Sequence, residues 1–430
     1  MAFGVQRFPL QERVSMNRRY FLLGSAASVA TSRAARRLGP NDRIRLGFVG
    51  LGGRASWLIK NEDFSGAEIV ALADCYLPRC LQAAQLKPEG EKWKKYHDYR
   101  QMFDKEKLDA VFVETTTHAR VLVSMHALQA GLDVYAEKPL TLTVAEGRAL
   151  VNAVRKHQRV LTTGTQQRSL PPNVYASRLV RQGAIGRVHT VVVCNFETGK
   201  MWEPKPEEPM PDGMNWEQWI NQTAMRPFHS ELQKRWAWYL DYDGGGQSWG
   251  VTGWGTHSLD QVQAALGTDE TGPVELWLEG TGPQAAVSMR YGNGTLMKLE
   301  GARRDHADLG AIFIGDKGKI EIKRGSYVIE PEGLAAEYKG YGPDPFPEGP
   351  GENQFHIQNF LSCMRSRLKP TADVEIGHRS TTLCHLVNIV RQLGRKLKWN
   401  PVTEQFEGDS EANTLLARPR RKGFELPRIA

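Results

Sequence analysis

The sequence predicts an α/β protein with two domains: an N-terminal domain built on a parallel sheet, and a C-terminal α+β domain with an open, mostly antiparallel sheet. Two observations predict this division. Up to about residue 166, apolar strands alternate with helices at a spacing that requires crossover connections, as in a parallel sheet. Beyond that point, segments alternate apolar with polar residues or end in glycine-rich turns, which is typical of antiparallel strands.

The composition is that of a globular protein. The 430 residues suffice for two domains that each bury a core, and 40% of them are hydrophobic. The formal net charge is +8, but residues 1–40 contribute +6 of it through seven arginines and one glutamate. Because the rest of the chain is nearly neutral, we expect neither nucleic acid nor a membrane as a partner.

The first forty residues have the features of an export signal. Arg18 and Arg19 precede a short apolar run, "FLLGSAASVA", as in twin-arginine signals, and the run is too short to span a bilayer. We therefore expect residues 1–40 to be a leader that starts at Met1 or Met16, the twin-arginine export machinery as a partner, and a periplasmic location. A disordered basic terminus is the alternative, and the protein is then cytoplasmic.

The first predicted strand leads into a glycine-rich turn. Ile44–Val49 is followed by "GLGGRA", which fits the G-x-G-x-x-G/A pattern, and then by a helix. In this pattern Gly50 allows the tight turn, Gly52 lets the backbone approach a pyrophosphate, and Ala55 lets the helix pack on the strand. The phosphates bind at the helix N-terminus. The sequence therefore predicts a Rossmann dinucleotide-binding domain, with a first group of cofactor-binding residues consisting of Gly50, Gly52, Gly53 and Arg54.

The second strand, "EIVALAD", ends on Asp74, twenty-four residues after Gly50. An acid at this place accepts hydrogen bonds from the adenosine ribose hydroxyls and repels a ribose phosphate. We therefore favour NAD over NADP. The alternative is that Asp74 is a strand-end turn residue or a helix cap.

The alternation continues with a helix around Pro78 to Leu86, a strand in "LDAVFVETTTHARV", the helix "VLVSMHALQAG" and the strand "DVYAE". In parallel sheets of this kind, ligands bind at the carboxyl ends of the strands. Those ends are Thr115 to His118 and Glu137-Lys138, so Lys138 is expected at the nicotinamide end of the cleft.

Five motifs resemble the family of glucose-fructose oxidoreductase, inositol dehydrogenase and rhizopine-catabolism proteins (Gfo/Idh/MocA). They are "GLGGRA", "AEKPLT", "GTQQRS", "WGTHSLD" and "NQFHIQNFLSCMRSR", and they occur in the family's order over nearly the whole chain after the leader. The resemblance implies that Lys138 faces the substrate hydroxyl and that the bond to Pro139 is commonly cis. A surface lysine that happens to precede proline is the alternative for Lys138.

The resemblance also implies other contacts with ligands. Glu137 is expected near the nicotinamide ribose, while Gln166 and Arg168 are expected beside the nicotinamide and the substrate. Two threonines and a histidine are expected to line the cofactor cleft, namely Thr115, Thr116 and His118.

The second half contains the predicted substrate domain. Strand-like segments are "RVHTVVVCNFE", "VELWLEGTG", "QAAVSMRYG", "GTLMKLEG" and "GAIFIGDKGKIEIKRG". Aromatic residues concentrate between the first two of these segments, and most are expected in the core. Because flat rings also suit sugar faces, Trp202, Trp238 or Tyr239 could line a carbohydrate site.

The segment "VTGWGTHSLD" departs from the family pattern. His257 and Asp260 match its histidine and second aspartate, and His257 is expected to meet the substrate beside Lys138. Gly253 stands where the first aspartate is expected. Either another group replaces that acid or the chemistry differs, and the nearby candidates are Tyr239, Asp241 and Asp243.

The predicted function is NAD-dependent hydride transfer to or from a secondary alcohol of a sugar, polyol or glycoside. Lys138 is the expected acid/base and His257 its partner, while Arg168, Tyr239 and Asp260 are further candidates for substrate contact. We expect a homo-oligomer, as is common in the family. The predicted domains are residues 41–166 for NAD, 167–400 for the substrate, and a C-terminal tail, 401–430, that packs on both.

Export would require the protein to carry its cofactor, since the periplasm has no pool of soluble NAD. The cofactor is then expected to be tightly bound and restored in each cycle. One alternative is an NAD-dependent glycosidase that acts by oxidation, elimination and reduction; the other is a non-catalytic NAD-binding protein.

The cysteines show neither the paired spacing of a metal site nor a disulfide framework. We expect free or buried thiols and no metal site. The five positions are Cys75, Cys80, Cys194, Cys363 and Cys384.

Overall fold

The structure is a computed structural model that describes residues 39, 42–246, 248–301, 309–335 and 352–429. The predicted leader, with Arg18 and Arg19, lies outside the described residues except for Gly39. Within the described ranges, no helix is long and apolar enough to cross a bilayer. All five cysteines are free, and four of them are buried.

Six parallel strands form the first sheet, in the order β3-β2-β1-β4-β5-β6. This is the Rossmann strand order. Strands are added on one side of β1 up to β3 and then on its other side from β4 onward, which opens a crevice at the carboxyl ends of β1 and β4. The elements of this half are β1 (Ile44–Val49), α1 (Gly53–Asn61), β2 (Ala67–Ala73), α2 (Leu77–Ala84), β3 (Lys94–Tyr96), α3 (Tyr99–Lys105), β4 (Ala110–Val113), α4 (Thr117–Gln129), β5 (Asp133–Ala136), α5 (Val144–His157) and β6 (Leu161–Thr163).

Nine strands form the second sheet, in the order β13-β12-β11-β7-β10-β9-β8-β14-β15. Only β7 and β10 pair in parallel, so the sheet is mostly antiparallel and the predicted fold class is confirmed. Its strands are β7 (Val188–Cys194), β8 (Pro273–Glu279), β9 (Ala286–Tyr291), β10 (Leu296–Gly301), β11 (Ala311–Gly315), β12 (Lys319–Lys323), β13 (Ser326–Glu330), β14 (Leu397–Asn400) and β15 (Gln405–Phe406).

Helices of the second half cover one face of this sheet and connect it to the first. Inward-facing Val191, Phe313 and Leu276 pack with Leu259 and Val262 of the central helix α9, so one hydrophobic core joins the sheet to its helices. The helices are α6 (Pro171–Arg181), α7 (Trp216–Ile220), α8 (Ser230–Arg235), α9 (Trp254–Leu266), α10 (Glu352–Ser366), α11 (Val374–Leu393) and α12 (Ser410–Thr414).

Helix α10 returns the chain to the first sheet. Its residues Ile357 and Phe360 are fully buried and pack against Phe48, Phe112 and Tyr135 of the Rossmann strands. The first sheet therefore completes its core with a helix that begins 189 residues after the end of its last strand, from Thr163 to Glu352.

The C-terminal segment packs across both halves. The Arg420 guanidinium donates to buried Glu146 of α5 at 2.9 Å, while Arg421 donates its backbone N–H to the Gln222 carbonyl at 3.0 Å. Leu426 and Ile429 pack against the Rossmann core. These contacts hold the two halves in a fixed arrangement around the crevice.

Candidate active site

The turn after β1 has the conformation that its glycines predict. Gly50 has φ +87°, and a Cβ there would lie 2.8 Å from the backbone nitrogen of Thr115, so only glycine fits. A Cβ at Gly52 or Gly53 would meet no described atom within 4 Å. The backbone of these two residues therefore faces open space, as a pyrophosphate at the N-terminus of α1 requires.

A first cavity, of about 480 Å³, begins at this turn. Asp74 lies in its wall, where its carboxylate accepts hydrogen bonds from the backbone N–H groups of Leu51 at 2.6 Å and Tyr76 at 2.8 Å. These bonds fix the carboxylate but leave further acceptor capacity on each oxygen. The cofactor-binding residues predicted from the sequence that line this cavity are Gly50, Gly52, Gly53, Arg54, Asp74, Thr115 and Thr116.

A second cavity, of about 380 Å³, contains Lys138. The Lys138-Pro139 bond is cis, and Lys138 Nζ donates to the Gly253 carbonyl oxygen at 3.0 Å. Burial lowers the pKa of Lys138, while the nearby carboxylates of Glu137 and Asp243 oppose that shift.

The glycine at position 253 has a steric explanation. A Cβ there would lie 2.8 Å from the Ser248 carbonyl oxygen and 2.9 Å from that of Gly246, so the turn has no room for an aspartate. An acid nevertheless lines the cavity, because Asp243 enters it from the preceding loop. Its carboxylate accepts from the hydroxyls of Thr117, at 2.6 Å, and Thr252. Burial raises the pKa of Asp243, and both hydroxyl donors oppose the rise.

His257 lies in the first turn of α9 and lines the same cavity as Lys138. The residue is 3% exposed, and its Nδ1 has no hydrogen-bond partner among the described residues. Burial lowers the pKa of His257 far below its ordinary value, and the positive charges of Lys138 and Arg324 lower it further. The imidazole is therefore neutral and has a free ring nitrogen.

The two cavities adjoin each other. They share four lining residues, namely Arg54, Glu114, Thr115 and Trp236. Glu137 lines the second cavity, and its Oε1 accepts from Arg54 Nε at 2.7 Å. Although burial opposes ionisation, the charges of Arg54 and Lys138 hold the pKa of Glu137 below its ordinary value, so it is a carboxylate.

Gln166 also lines the second cavity. Its Oε1 accepts from Arg324 Nη2 at 2.7 Å, and its Nε2 donates to the Gly164 carbonyl at 2.8 Å.

Three predicted site residues have other partners. Arg168 forms ion pairs with buried Asp260 of α9 at 2.7 Å and with half-buried Asp269 at 2.6 Å. Arg168 and Asp260 line neither of the two described cavities. Tyr239 is 3% exposed and donates its hydroxyl to Glu231 at 2.8 Å. In place of the expected substrate contacts, all three make contacts within the protein.

His118 is fully buried on α4, between the rings of Trp219 and Tyr242. Its Nε2 lies 2.8 Å from the Trp219 carbonyl oxygen, and it lines neither of the two described cavities. The expected contact of His118 with the cofactor is therefore replaced by packing.

The aromatic residues at the site differ from those expected. Trp236 lines both cavities and Trp254 lines the second, whereas Trp202 and Trp238 line neither of them. Trp202 packs edge-to-face on Tyr239. Sequence alone could not separate these neighbours, because the choice depends on the course of one loop.

Several charged residues of the site were missed, among them Arg324 and Glu114. Arg324 reaches the second cavity from the turn between β12 and β13. Asn173 holds that turn by donating to the Lys323 carbonyl and accepting from the Gly325 N–H, both at 2.9 Å. Glu114, directly after β4, lines both cavities, and its position at a strand end was the available signal.

Two family profiles match the chain. One, described as the NAD-binding Rossmann fold of an oxidoreductase family, covers residues 44–165 and confirms NAD as the cofactor. The other, described as the C-terminal alpha/beta domain of an oxidoreductase family, covers residues 174–426, more than half of the chain.

Individual relatives are distant. The inositol 2-dehydrogenase of Salmonella typhimurium is 29% identical over 147 residues, which are 34% of this chain and 43% of the relative. The glycosyl hydrolase family 109 protein 2 of Phocaeicola vulgatus is 27% identical over 122 residues, 27% of this chain and 30% of the relative. The chain thus spans under half the length of these curated relatives.

The solved structure of an aldose-aldose oxidoreductase from Caulobacter crescentus, complexed with glycerol, is similar in fold. It aligns with a TM-score of 0.55 at 19% identity and covers 83% of this chain and 99% of that one. A likeness at this identity supports the fold.

Proposed function

The chain belongs to the Gfo/Idh/MocA oxidoreductase family, and from that premise we propose that it transfers hydride between NAD and a secondary alcohol of a sugar, polyol or glycoside. One observation carries the proposal. Lys138, Asp243 and His257 line a single cavity that shares four lining residues with the cavity of the glycine turn. A group in the second cavity can therefore meet the end of a dinucleotide in the first.

The residues of the first cavity fit the cofactor. Gly52 and Gly53 leave room for the pyrophosphate, and Asp74 offers acceptors for ribose hydroxyls. NAD, when bound, accepts or supplies the hydride, while the side chains bind, orient and move protons.

Lys138 is the proposed acid/base. In the oxidation direction it must be neutral to take the hydroxyl proton, and burial favours the neutral amine. Asp243 and Glu137 limit that shift, so the amine can also be reprotonated. His257, with its free ring nitrogen, orients the substrate by a hydrogen bond.

We further propose that the cofactor remains bound through the cycle. The basis is the twin-arginine pattern at Arg18-Arg19, since an exported enzyme must carry NAD with it. Such an enzyme restores its cofactor by oxidising one substrate and reducing another. The aldose-aldose oxidoreductase among the similar folds carries a name of this type.

A glycosidase is the second candidate function, favoured by the glycosyl hydrolase family 109 relative. In this chemistry, oxidation next to a ring carbon acidifies its C–H bond, a base removes that proton, the aglycone leaves, and water and hydride then complete the product. The hydride returns to the carbon that lost it, so the cycle needs no external oxidant.

The experiment starts with full-length protein that is gel-filtered, denatured and analysed by mass spectrometry. We expect close to one NAD(H) per chain. Incubation with sugars deuterated at each carbinol carbon should then transfer deuterium to the nucleotide. Transfer without aglycone release supports the oxidoreductase, whereas release with uptake of solvent deuterium supports the glycosidase. NAD binding without any transfer would leave a non-catalytic binding protein.

A further inference from the structure

Glu114 is a buried acid with no hydrogen-bond partner. It follows β4 directly, is 8% exposed, and neither Oε1 nor Oε2 has a partner among the described residues. A buried carboxyl in this state is costly, because it has lost its hydration and gained no donor in return. Such a group in a cavity wall indicates a ligand that supplies the missing hydrogen bonds.

The groups around Glu114 have other partners. Arg54 of α1 donates to Glu137 at 2.7 Å and to Asn353 at 2.8 Å. Arg120 of α4 donates to the carbonyl oxygens of Thr115, at 2.5 Å, and Pro139. Neither guanidinium forms a described hydrogen bond with Glu114.

A second acid also faces Glu114. Burial raises the pKa of Glu114 well above its ordinary value, and the charge of Glu137 raises it further against the opposing charges of Arg54 and Arg120. Lys138 and His356 also face Glu137. Tyr135 of β5 faces both acids, and burial raises its pKa well above its ordinary value, which keeps it neutral. Of the two acids, Glu137 is therefore ionised and Glu114 holds its proton.

We propose that Glu114 is a cofactor-binding residue that, as a neutral carboxylic acid, both donates and accepts a hydrogen bond at the nicotinamide end of NAD. The inference rests on the proposed function. Glu114 lines both cavities, and hydride transfer requires the nicotinamide to lie where the cofactor and substrate cavities meet.

The chemistry of the partner follows from the neutral acid. A carboxylate only accepts hydrogen bonds, whereas a carboxylic acid offers one donor and one acceptor. Two groups at this end of NAD offer the complementary pair, the carboxamide and the ribose hydroxyls.

The test compares Glu114→Gln and Glu114→Ala with the wild type. Each full-length protein, stripped of nucleotide with charcoal, is titrated calorimetrically with NAD and with ADP, which lacks the nicotinamide end. We expect Glu114→Ala to lose about tenfold or more in NAD affinity and to keep its ADP affinity. Glu114→Gln, whose amide also donates and accepts, should bind NAD almost as the wild type does.

The pH profile separates a binding role from a structural one. Wild-type NAD affinity should fall as the pH rises through the pKa of Glu114, because the ionised group cannot donate. Glu114→Gln should show no such fall, and ADP binding should show none in any variant.

The nicotinamide carboxamide and the ribose hydroxyls are the two candidate partners of Glu114. They are distinguished with 3-acetylpyridine adenine dinucleotide, which lacks the amide NH₂. If the penalty of Glu114→Ala disappears with this analogue, the partner is the carboxamide; if it persists, the partner is the ribose. Either result supports the proposal.

Unchanged NAD affinity in Glu114→Ala would overturn it, as would a loss in Glu114→Gln as large as that in Glu114→Ala at an unchanged melting temperature. If Glu114→Ala does not fold, Glu114→Gln and the pH profile still decide. All these readouts are binding constants, so failure of sugar oxidation would overturn the proposed function and leave this inference standing.

Discussion

Gly253 shows how one residue changes the chemistry of its neighbours. The turn that carries it places three carbonyl oxygens within 3.2 Å of where a Cβ would be, so no acid can occupy the position. The Gly253 carbonyl accepts from Lys138 instead, and Asp243 supplies the charge from another loop. At this place the cavity therefore offers a carbonyl oxygen to Lys138 and, from a separate loop, the carboxylate of Asp243.

The role of Lys138 can be tested by Lys138→Met, which keeps the length of the side chain and removes the amine. Because the proposed NAD site is built mainly from residues of the first cavity, NAD affinity should remain within a few-fold of the wild type. Turnover should fall by about 10³-fold, as expected for loss of a general acid/base. Deuterium transfer from labelled sugars measures turnover and calorimetry measures binding. Normal turnover by this variant would remove the proposed mechanism.

Asp243 should set the pH dependence of oxidation. Its negative charge raises the pKa of Lys138, so Asp243→Asn should lower that pKa. Since the base must be neutral to accept a proton, the acid limb of kcat/KM should move to lower pH, by about 1 unit. The pH profile of NADH formation measures the shift.

The matched control for this change is Asp241→Asn. Asp241 pairs with Arg226 and lies outside the wall of the second cavity. Its profile should overlay that of the wild type. If the acid limb of kcat/KM moved equally in both variants, the effect of Asp243 would come from the net charge of the protein and not from its position near Lys138.

At the scale of elements, the ends of neighbouring parallel strands build the site. Thr115 follows β4 and Lys138 follows β5, so the strand order alone brings both to one edge of the sheet. The opposite wall comes from α9 and from the β12-β13 turn held by Asn173. The site is thus built from elements of both halves, and each half contributes charged residues.

The glycine turn allows a test that separates folding from binding. Gly50→Ala forces a methyl group against Thr115 at a φ that alanine rarely adopts, so we expect a loss of about 2 kcal/mol in the free energy of unfolding. Gly52→Ala meets no described atom, so its melting temperature should not change. Its methyl should still weaken NAD binding by about tenfold, because the backbone approaches the pyrophosphate there. Equal melting temperatures of the two variants would contradict the structural role of Gly50.

At the scale of the whole molecule, periodicity and spacing were enough to predict both sheets and the position of Lys138 at the carboxyl end of a parallel strand. They could not predict β3 and β6, because three residues give too little pattern. Periodicity and spacing also could not predict that α10 packs into the core of the Rossmann sheet. Glu114 and Arg324 gain their roles from contacts between distant segments, and a single sequence carries no direct signal of such contacts. The same reason explains why Arg168 and Asp260 were placed at the substrate, when each is the other's partner.

The outer face of the second sheet bears on the predicted homo-oligomer. Val191 and Phe313 point into the core, so their neighbours Val192, Ile312 and Ile314 lie on the opposite face, half-buried and apolar. Val192 and Ile312 are paired across β7 and β11, which makes the patch continuous. An apolar strip of this kind suits the face of a second copy.

We therefore expect Ile312→Lys to dissociate the oligomer, because burying the ammonium group at the contact between two copies costs more than an ion pair with Glu321, its cross-strand neighbour on β12, returns. Sedimentation velocity should show a smaller species than the wild type, with NAD affinity unchanged since the face lies away from both cavities. Val402→Lys is the matched control, as Val402 is 85% exposed on a turn between β14 and β15. That variant should sediment as the wild type does. A wild type that is monomeric at micromolar concentration would contradict the prediction and leave the strip as ordinary surface.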